Sequence, residues 1–285
     1  MNIFINDKPA EIALDTEKTL ADVMAGIELW ISPTGNRIHR ICVDDREIAN
    51  DDLAEAFALD IKDIGKLDVF IKSWRELAAE ALGILHETCG LFGEAAFDER
   101  GPVFEAWRGS AAARFLQSDI PDIWGLAIRA MSGEGLLSSE LASIIEERLR
   151  EIADPWQEIN DCGPQVEMVA ARMEEFPLDM QTGKDRRAAE TVQLFSQIGE
   201  KLFRVFFIYT SEGLSIETFM IGDQSARVFI EEFNAALREL SMAYESRDTV
   251  LAGDIAEYEL APRLLTFFAT LKNMAKLGTL VLFAS

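Results

Sequence analysis

Apolar positions change period near residue 73. Before that point they recur every second residue in short runs; after it they recur at steps of three and four. Asn2 to Asn6 alternates, Asp7-Lys8-Pro9 signals a turn, and Ala10 to Leu14 resumes the alternation, which predicts a hairpin. Thr16 or Thr19 can cap a helix from Leu20 to about Ile31, with Val23, Ile27 and Trp30 or Ile31 on one face. Ser32 to Asn36 breaks it, Arg37 to Val43 reads as a strand, and Asp44-Asp45-Arg46 turns the chain toward Glu47-Ile48. A short helix at Asp52 to Leu59 and a strand at Lys66 to Ile71 complete this part.

From Ser73 onward the pattern is helical. Trp74 to about Ala95 carries Leu77, Ala81, Ile84 and Leu85 at helical spacing. Pro102 opens a helix through Val103, Phe104, Trp107 and Ala111. Ile123 to Met131 is short and apolar, and Ser138 or Ser139 caps a helix through Leu141, Ile144, Ile145, Leu149 and Ile152. Val166 to Phe176 continues helical, Pro177 to Lys184 is the strongest internal break, and Arg186 to about Tyr209 is helical again. Leu214 to Ile221 fits either a short extended piece or a packed loop. A final helix is expected over Leu264 to Met274.

Gln224 to Leu260 is predicted to form one long helix around which the others pack. Phe229, Phe233, Ala236, Leu240 and Ala243 form its stripe, Gly253 weakens it and Pro262 ends it. Continuing the seven-residue step from Leu240 reaches Arg247 and then Asp254, two charges where apolar residues are expected. A buried Asp254 needs a cation, and Arg247, Arg204 and Arg263 are candidates. Two arrangements meet that need. One is an ion pair inside the bundle. The other is a dimer with its two-fold near Val250 and Leu251, which pairs Arg247 with Asp254 and Tyr244 with Glu257 across chains. Both expect Asp254→Ala to cost several kcal/mol, on the order of 3 to 5, by stranding a buried cation.

The element order of the first quarter of the chain is strand, strand, helix, strand, short element, strand. It resembles the β-grasp fold of ubiquitin and the bacterial sulfur carriers. The small carriers act through a free C-terminal Gly-Gly. Here the last strand runs into Lys72-Ser73-Trp74-Arg75-Glu76 and a helix, so the resemblance implies a docking sheet without the carrier chemistry. The expected fold class is therefore α+β: a β-grasp-like domain over residues 1–72 and an α-helical bundle domain over 73–285.

Charge narrows the partners. The net charge is −23, which argues against nucleic acid and anionic membrane surfaces. Cys42, Cys89 and Cys162 are odd in number and far apart, as suits reduced thiols in a cytoplasm. The start, MNIFINDKPAE, lacks the basic and apolar regions of a signal peptide. The apolar runs Leu202 to Tyr209 and Leu277 to Ala284 fall short of the roughly 18 residues a bilayer span requires. The second run is expected to be packed, because it would invite aggregation if exposed.

Catalytic signatures are largely missing. His39 lies in a predicted strand; His86 and Cys89 share a helix face but lack the other ligands of a zinc site. Gly183-Lys184 fails as a P-loop, with Leu178 at the upstream glycine and Asp185 in place of the magnesium-binding hydroxyl. Gly133-x-Gly135 misses the third glycine of a dinucleotide fingerprint. Trp74, Trp107, Trp124 and Trp156 read as core. No catalytic, cofactor or metal residue is assigned. The residues singled out are Tyr244, Arg247, Asp254 and Glu257, as an interface or buried polar network. The function expected is that of a non-enzymatic cytoplasmic adaptor or scaffold that binds another protein, without cofactor, either as a monomer or as a homodimer. The alternative is an enzyme with an acidic, metal-assisted site in the helical domain.

Overall fold

The computed structural model describes residues 1–14, 16–49 and 52–282, with side chains described through residue 274. The architecture is α+β. The chain forms two compact units, Met1–Leu149 with Ser211–Gly213, and Arg150–Thr210 with Leu214–Ser285.

The first unit opens with β1 (Asn2–Ile5) and β2 (Lys8–Ala10). Asn6 and Asp7 link them with φ of 48° and 62°, the left-handed pair that lets a two-residue hairpin follow the strand twist. The turn thus falls one residue earlier than expected, and β2 ends at Ala10 rather than running to Leu14. Asn and Asp tolerate positive φ, whereas Pro9 cannot donate to a ladder and sits in the outermost strand. The Asn6 side chain also reaches the last strand, donating to the Ile71 carbonyl and accepting the Ile71 N–H.

Helix α1 (Leu20–Ile31) starts at a capping box in which Thr19 accepts from the Asp22 N–H and Asp22 accepts from the Thr19 N–H. Strands β3 (Asn36–Val43) and β4 (Arg46–Glu47) are joined through Asp44 and Asp45, a second pair at positive φ. Helix α2 (Leu53–Phe57) leads to β5 (Lys66–Ser73). The five strands lie in the order β2-β1-β5-β3-β4. The first and last strands pair in parallel at the centre, and the other pairs are antiparallel. One face of this mixed sheet presents Ile3, Ile41, Val43, Leu67 and Val69, and α1 buries Leu20, Val23, Met24, Ile27 and Ile31 against it.

Ser73 ends β5 and caps α3 (Trp74–Glu94), with Glu76 closing a second capping box, so strand passes to helix with no loop between. Next come α4 (Arg100–Arg108), α5 (Ala111–Asp119), α6 (Pro121–Ser132) and α7 (Ser138–Ala153). The single helix expected from Pro102 to Ala111 is two. Gly109 ends the first, and the Ser110 hydroxyl caps the second by accepting from the Ala113 N–H.

The second unit contains α8 (Pro155–Asp161), α9 (Gly163–Gln181), α10 (Asp185–Ser211), a small hairpin of β6 (Met220–Ile221) and β7 (Gln224–Ser225), α11 (Ala226–Ser246), α12 (Thr249–Asp254) and α13 (Ala261–Leu282). Phenylalanines cement it. The rings of Phe195 and Phe233 stack at 5.8 Å, and Phe203, Phe206 and Phe229 all lie against Phe267.

Two proline positions differ from expectation. Pro177 does not open a loop; α9 passes through it to Gln181, and the break is confined to Thr182–Lys184, where Gly183 has φ of 69°. Nor does Pro262 end a helix. A π-helical turn, Ile255–Leu260, joins α12 to α13, and the Ala261 N–H reaches back five residues to the Ala256 carbonyl. Proline has no N–H for the carbonyl four residues before it and its ring presses on that carbonyl; the wider turn relieves both problems. The predicted helix over Gln224 to Leu260 is broken instead at Arg247, which has φ of 58° and closes the end of α11. The packing expected of Leu277 to Phe283 lies outside the described residues. Among the described residues, no helix is long and apolar enough to cross a membrane.

Candidate functional site

The left-handed turn at Arg247 separates the four residues singled out in the sequence. Asp248 begins a new helix by accepting from the Leu251 N–H. A seven-residue step across that break no longer returns to one face. Arg247 and Asp254 are both exposed, and among the described residues neither forms an ion pair. The expected burial of Asp254 is thus corrected. Tyr244 is half-buried against the apolar core of the second unit. Glu257 is half-buried and accepts from Tyr258, and that bond raises the Tyr258 phenol above its ordinary value.

Carboxylates that are buried or nearly so are paired elsewhere in the second unit. Glu151 in α7 is 1% exposed and takes Arg204 Nε at 3.0 Å and Nη2 at 2.7 Å, a bidentate bond between α7 and α10. Lys201 Nζ lies 2.6 Å from Glu158. Asp179 is buried between Lys184 at 3.4 Å and Arg187 at 3.2 Å. The sequence carried a signal for the first pair. Glu151 lies seven residues after Ile144 on a helical seam, and Arg204 interrupts an apolar run. It is the kind of signal that pointed to Asp254. These pairs pin α7, α8 and α9 to α10, and a structural role accounts for them.

The thiols and histidines offer little reactivity. Burial pushes Cys89 and Cys162 up to about 11, so both are protonated at neutral pH, and it also raises Cys42. His86 Nε2 stands 3.2 Å from Glu146 Oε1. His39 is exposed at the bulge of β3. Partial desolvation, with Lys72 and Arg40 nearby, lowers its pKa and keeps it neutral at pH 7. Among the described residues no group of three or more His, Cys, Asp or Glu side chains is placed to hold a metal ion.

A concavity lies in the sheet module. The core face of α1 takes Ile31 rather than Trp30, which leaves Trp30 64% exposed. On the same side of the helix, Val23, Gly26, Ile27 and Trp30 form one wall of a cleft of about 750 Å³. Ile5, Ile12 and Leu14 contribute to the opposite wall, in and after the outer hairpin. At Gly26 the wall is bare backbone, and an added Cβ would meet nothing within 4 Å. The polar groups that line it are Lys8, Glu11, Glu17 and Asp22; Asp22 is engaged in the α1 capping box and Glu17 accepts from the Thr16 N–H. A volume of this size suits a small ligand or a few side chains of a bound peptide. The sequence did not mark the cleft, because Trp30 and Ile31 are adjacent and periodicity alone left open which of them the core takes.

Two family models match the chain. One, described as the TP0873 N-terminal domain, covers residues 1–73, and the other, described as a domain of unknown function (DUF8042), covers residues 157–268. The first ends where β5 gives way to α3. No curated protein and no solved structure matched the chain.

Proposed function

We propose that this protein is a non-enzymatic adaptor or scaffold that docks another protein through its N-terminal module, and that the module is of the β-grasp type. The parallel pairing of the first and last strands, with a helix crossing one face, supports the β-grasp reading. The observation that carries the docking role is the cleft beside Trp30. A tryptophan left exposed over an apolar cleft is the side chain most often found at the energetic centre of protein interfaces. Glu11, Glu17 and Asp22 against Lys8 give the cleft a net negative lining, so the segment that fits is an apolar side chain flanked by a cation. The test uses full-length protein as bait in lysate of its own cells, followed by affinity measurement with the purified captured protein. Trp30→Glu is expected to weaken binding by about tenfold or more, while Leu137→Glu, at another exposed position, leaves it unchanged. Equal binding by wild type and Trp30→Glu would reject the cleft as the docking site.

A further inference from the structure

One side of the cleft beside Trp30 is the edge of the sheet. β2 is an outermost strand, and Lys8, Pro9 and Ala10 all line the cleft. The hairpin decides which backbone groups that edge offers. Asn6 and Asp7 form a two-residue turn, so Ile5 and Lys8 are the hydrogen-bonded pair that closes it. Pairs alternate along an antiparallel ladder, which makes Phe4 and Pro9 a non-bonded pair and Ile3 and Ala10 a bonded one. Ala10 therefore turns its N–H and its carbonyl toward β1. Across a planar trans peptide the two groups point opposite ways, and every peptide here is trans. The Pro9 carbonyl and the Glu11 N–H thus point outward, and among the described residues neither is hydrogen-bonded. Pro9 has no N–H to accompany its carbonyl.

We propose, resting on the docking role of this cleft, that its occupant is an extended peptide segment of the partner protein, added to the sheet as a strand parallel to β2. A residue in a parallel strand donates to the carbonyl one residue before its neighbour and accepts from the N–H one residue after it. The Pro9 carbonyl and the Glu11 N–H, on either side of Ala10, are that pair of groups. An antiparallel strand takes both bonds from a single residue, and Pro9 lacks the N–H this needs. The sheet also fixes where the peptide side chains go. Residues side by side in a sheet point to the same face. Ala10 shares the face of Ile3 and packs against the core that α1 covers. The peptide residue beside Ala10 therefore sends its side chain between the hairpin and α1, toward Val23, Ile27 and Trp30. Main-chain bonds hold such a segment, and the pocket selects the side chain. The ligand class is an extended segment with a large apolar residue at this position and a Lys or Arg near it, matched to the net negative lining.

Random peptides displayed on phage and selected on the full-length protein supply the probe. The tightest selected peptide, synthesised, is expected to bind Trp30→Glu protein about tenfold or more weakly. In amide spectra of the full-length chain its binding should protect the Glu11 N–H from hydrogen exchange. A spin label on the peptide N-terminus should broaden Asn6 and Asp7 more than Ile12 and Leu14, as the parallel direction requires. Glu11→Pro removes the donor and suits the tight turn at this position, where the Ile12 N–H bonds to the Ala10 carbonyl at 3.1 Å. It should weaken the peptide by about tenfold or more, and Glu11→Gln, which removes only the charge, by less. N-methylation of the peptide residue that donates to Pro9 should match Glu11→Pro, and it tests the same ladder without changing the protein. A peptide that needs Trp30 but leaves the Glu11 N–H exchanging and tolerates N-methylation overturns strand addition while the docking cleft stands. Stronger broadening at Ile12 and Leu14 overturns the parallel direction. Selected peptides indifferent to Trp30→Glu, or a selection that yields none, overturn the docking cleft and the strand together.

Discussion

Arg204 grips Glu151 with two nitrogens at 3.0 and 2.7 Å, and the carboxylate has almost no contact with solvent. Removing the cation leaves a buried anion without its bidentate partner. Arg204→Ala is therefore expected to cost about 3 to 5 kcal/mol, read as a lowered urea midpoint. Asp254 is exposed, so Asp254→Ala should change the same midpoint by no more than about 0.5 kcal/mol. Together the two measurements separate a buried charge from a solvated one. Cys89 and Cys162 supply a chemical check. With thiols pushed up to about 11, both should resist alkylation at pH 7 in the folded protein and react only in denaturant, as peptide mass spectrometry would show.

Helix ends and helix crossings set the stability of single elements. Gly253 in α12 lies against Pro177 in α9, and an added Cβ would come within 2.9 Å of the proline Cβ and 3.2 Å of its Cα. The obstruction includes backbone, so it cannot swing aside. Gly253→Ala should destabilise by about 1 to 3 kcal/mol in thermal unfolding, despite the better helix propensity of alanine. The two capping boxes carry a pH dependence. Bonds from the Ser73 backbone and hydroxyl hold Glu76 below its ordinary 4.5, and bonds from the Lys18 and Thr19 backbone and the Thr19 hydroxyl hold Asp22 below 3.8. A carboxyl depressed in the folded state contributes stability that is fully present above its unfolded value and is lost as pH falls through the folded one. Melting temperature should accordingly decline on acidification below about pH 4.5. Glu76→Gln keeps a capping partner without a titrating group, so its decline should be shallower. A slope identical to that of the wild type would remove Glu76 from the account.

The independence of the sheet module is a question about the whole chain. The cluster that forms its core draws on residues between Met1 and Ile71, and the family match ends at residue 73. A chain of residues 1–73 is expected to fold alone, though marginally, since a domain this small buries a limited share of its surface. Dispersed amide resonances would show this, and a random-coil spectrum would refute it. The cleft beside Trp30 lies within the first unit.

Patterning along the chain was enough to locate the sheet, most of the helices and the α+β class, because periods of two and of three to four persist over whole elements. It also showed that charges stand on helical seams. It could not tell which of those charges is buried. Glu151 and Asp254 carry the same local signal, and the difference comes from Arg204 on α10 and from a backbone turn at Arg247. Nor did it resolve which of Trp30 and Ile31 faces the core, or that Pro177 and Pro262 sit inside helices. At Pro177 the neighbour is distant in sequence, Gly253; at Pro262 it is a π turn in the residues just before the proline, a backbone adjustment that spacing of side chains does not report. A period records which way a side chain points relative to its own helix axis. What stands opposite it is set by the packing of other elements, and that packing leaves no trace in local spacing.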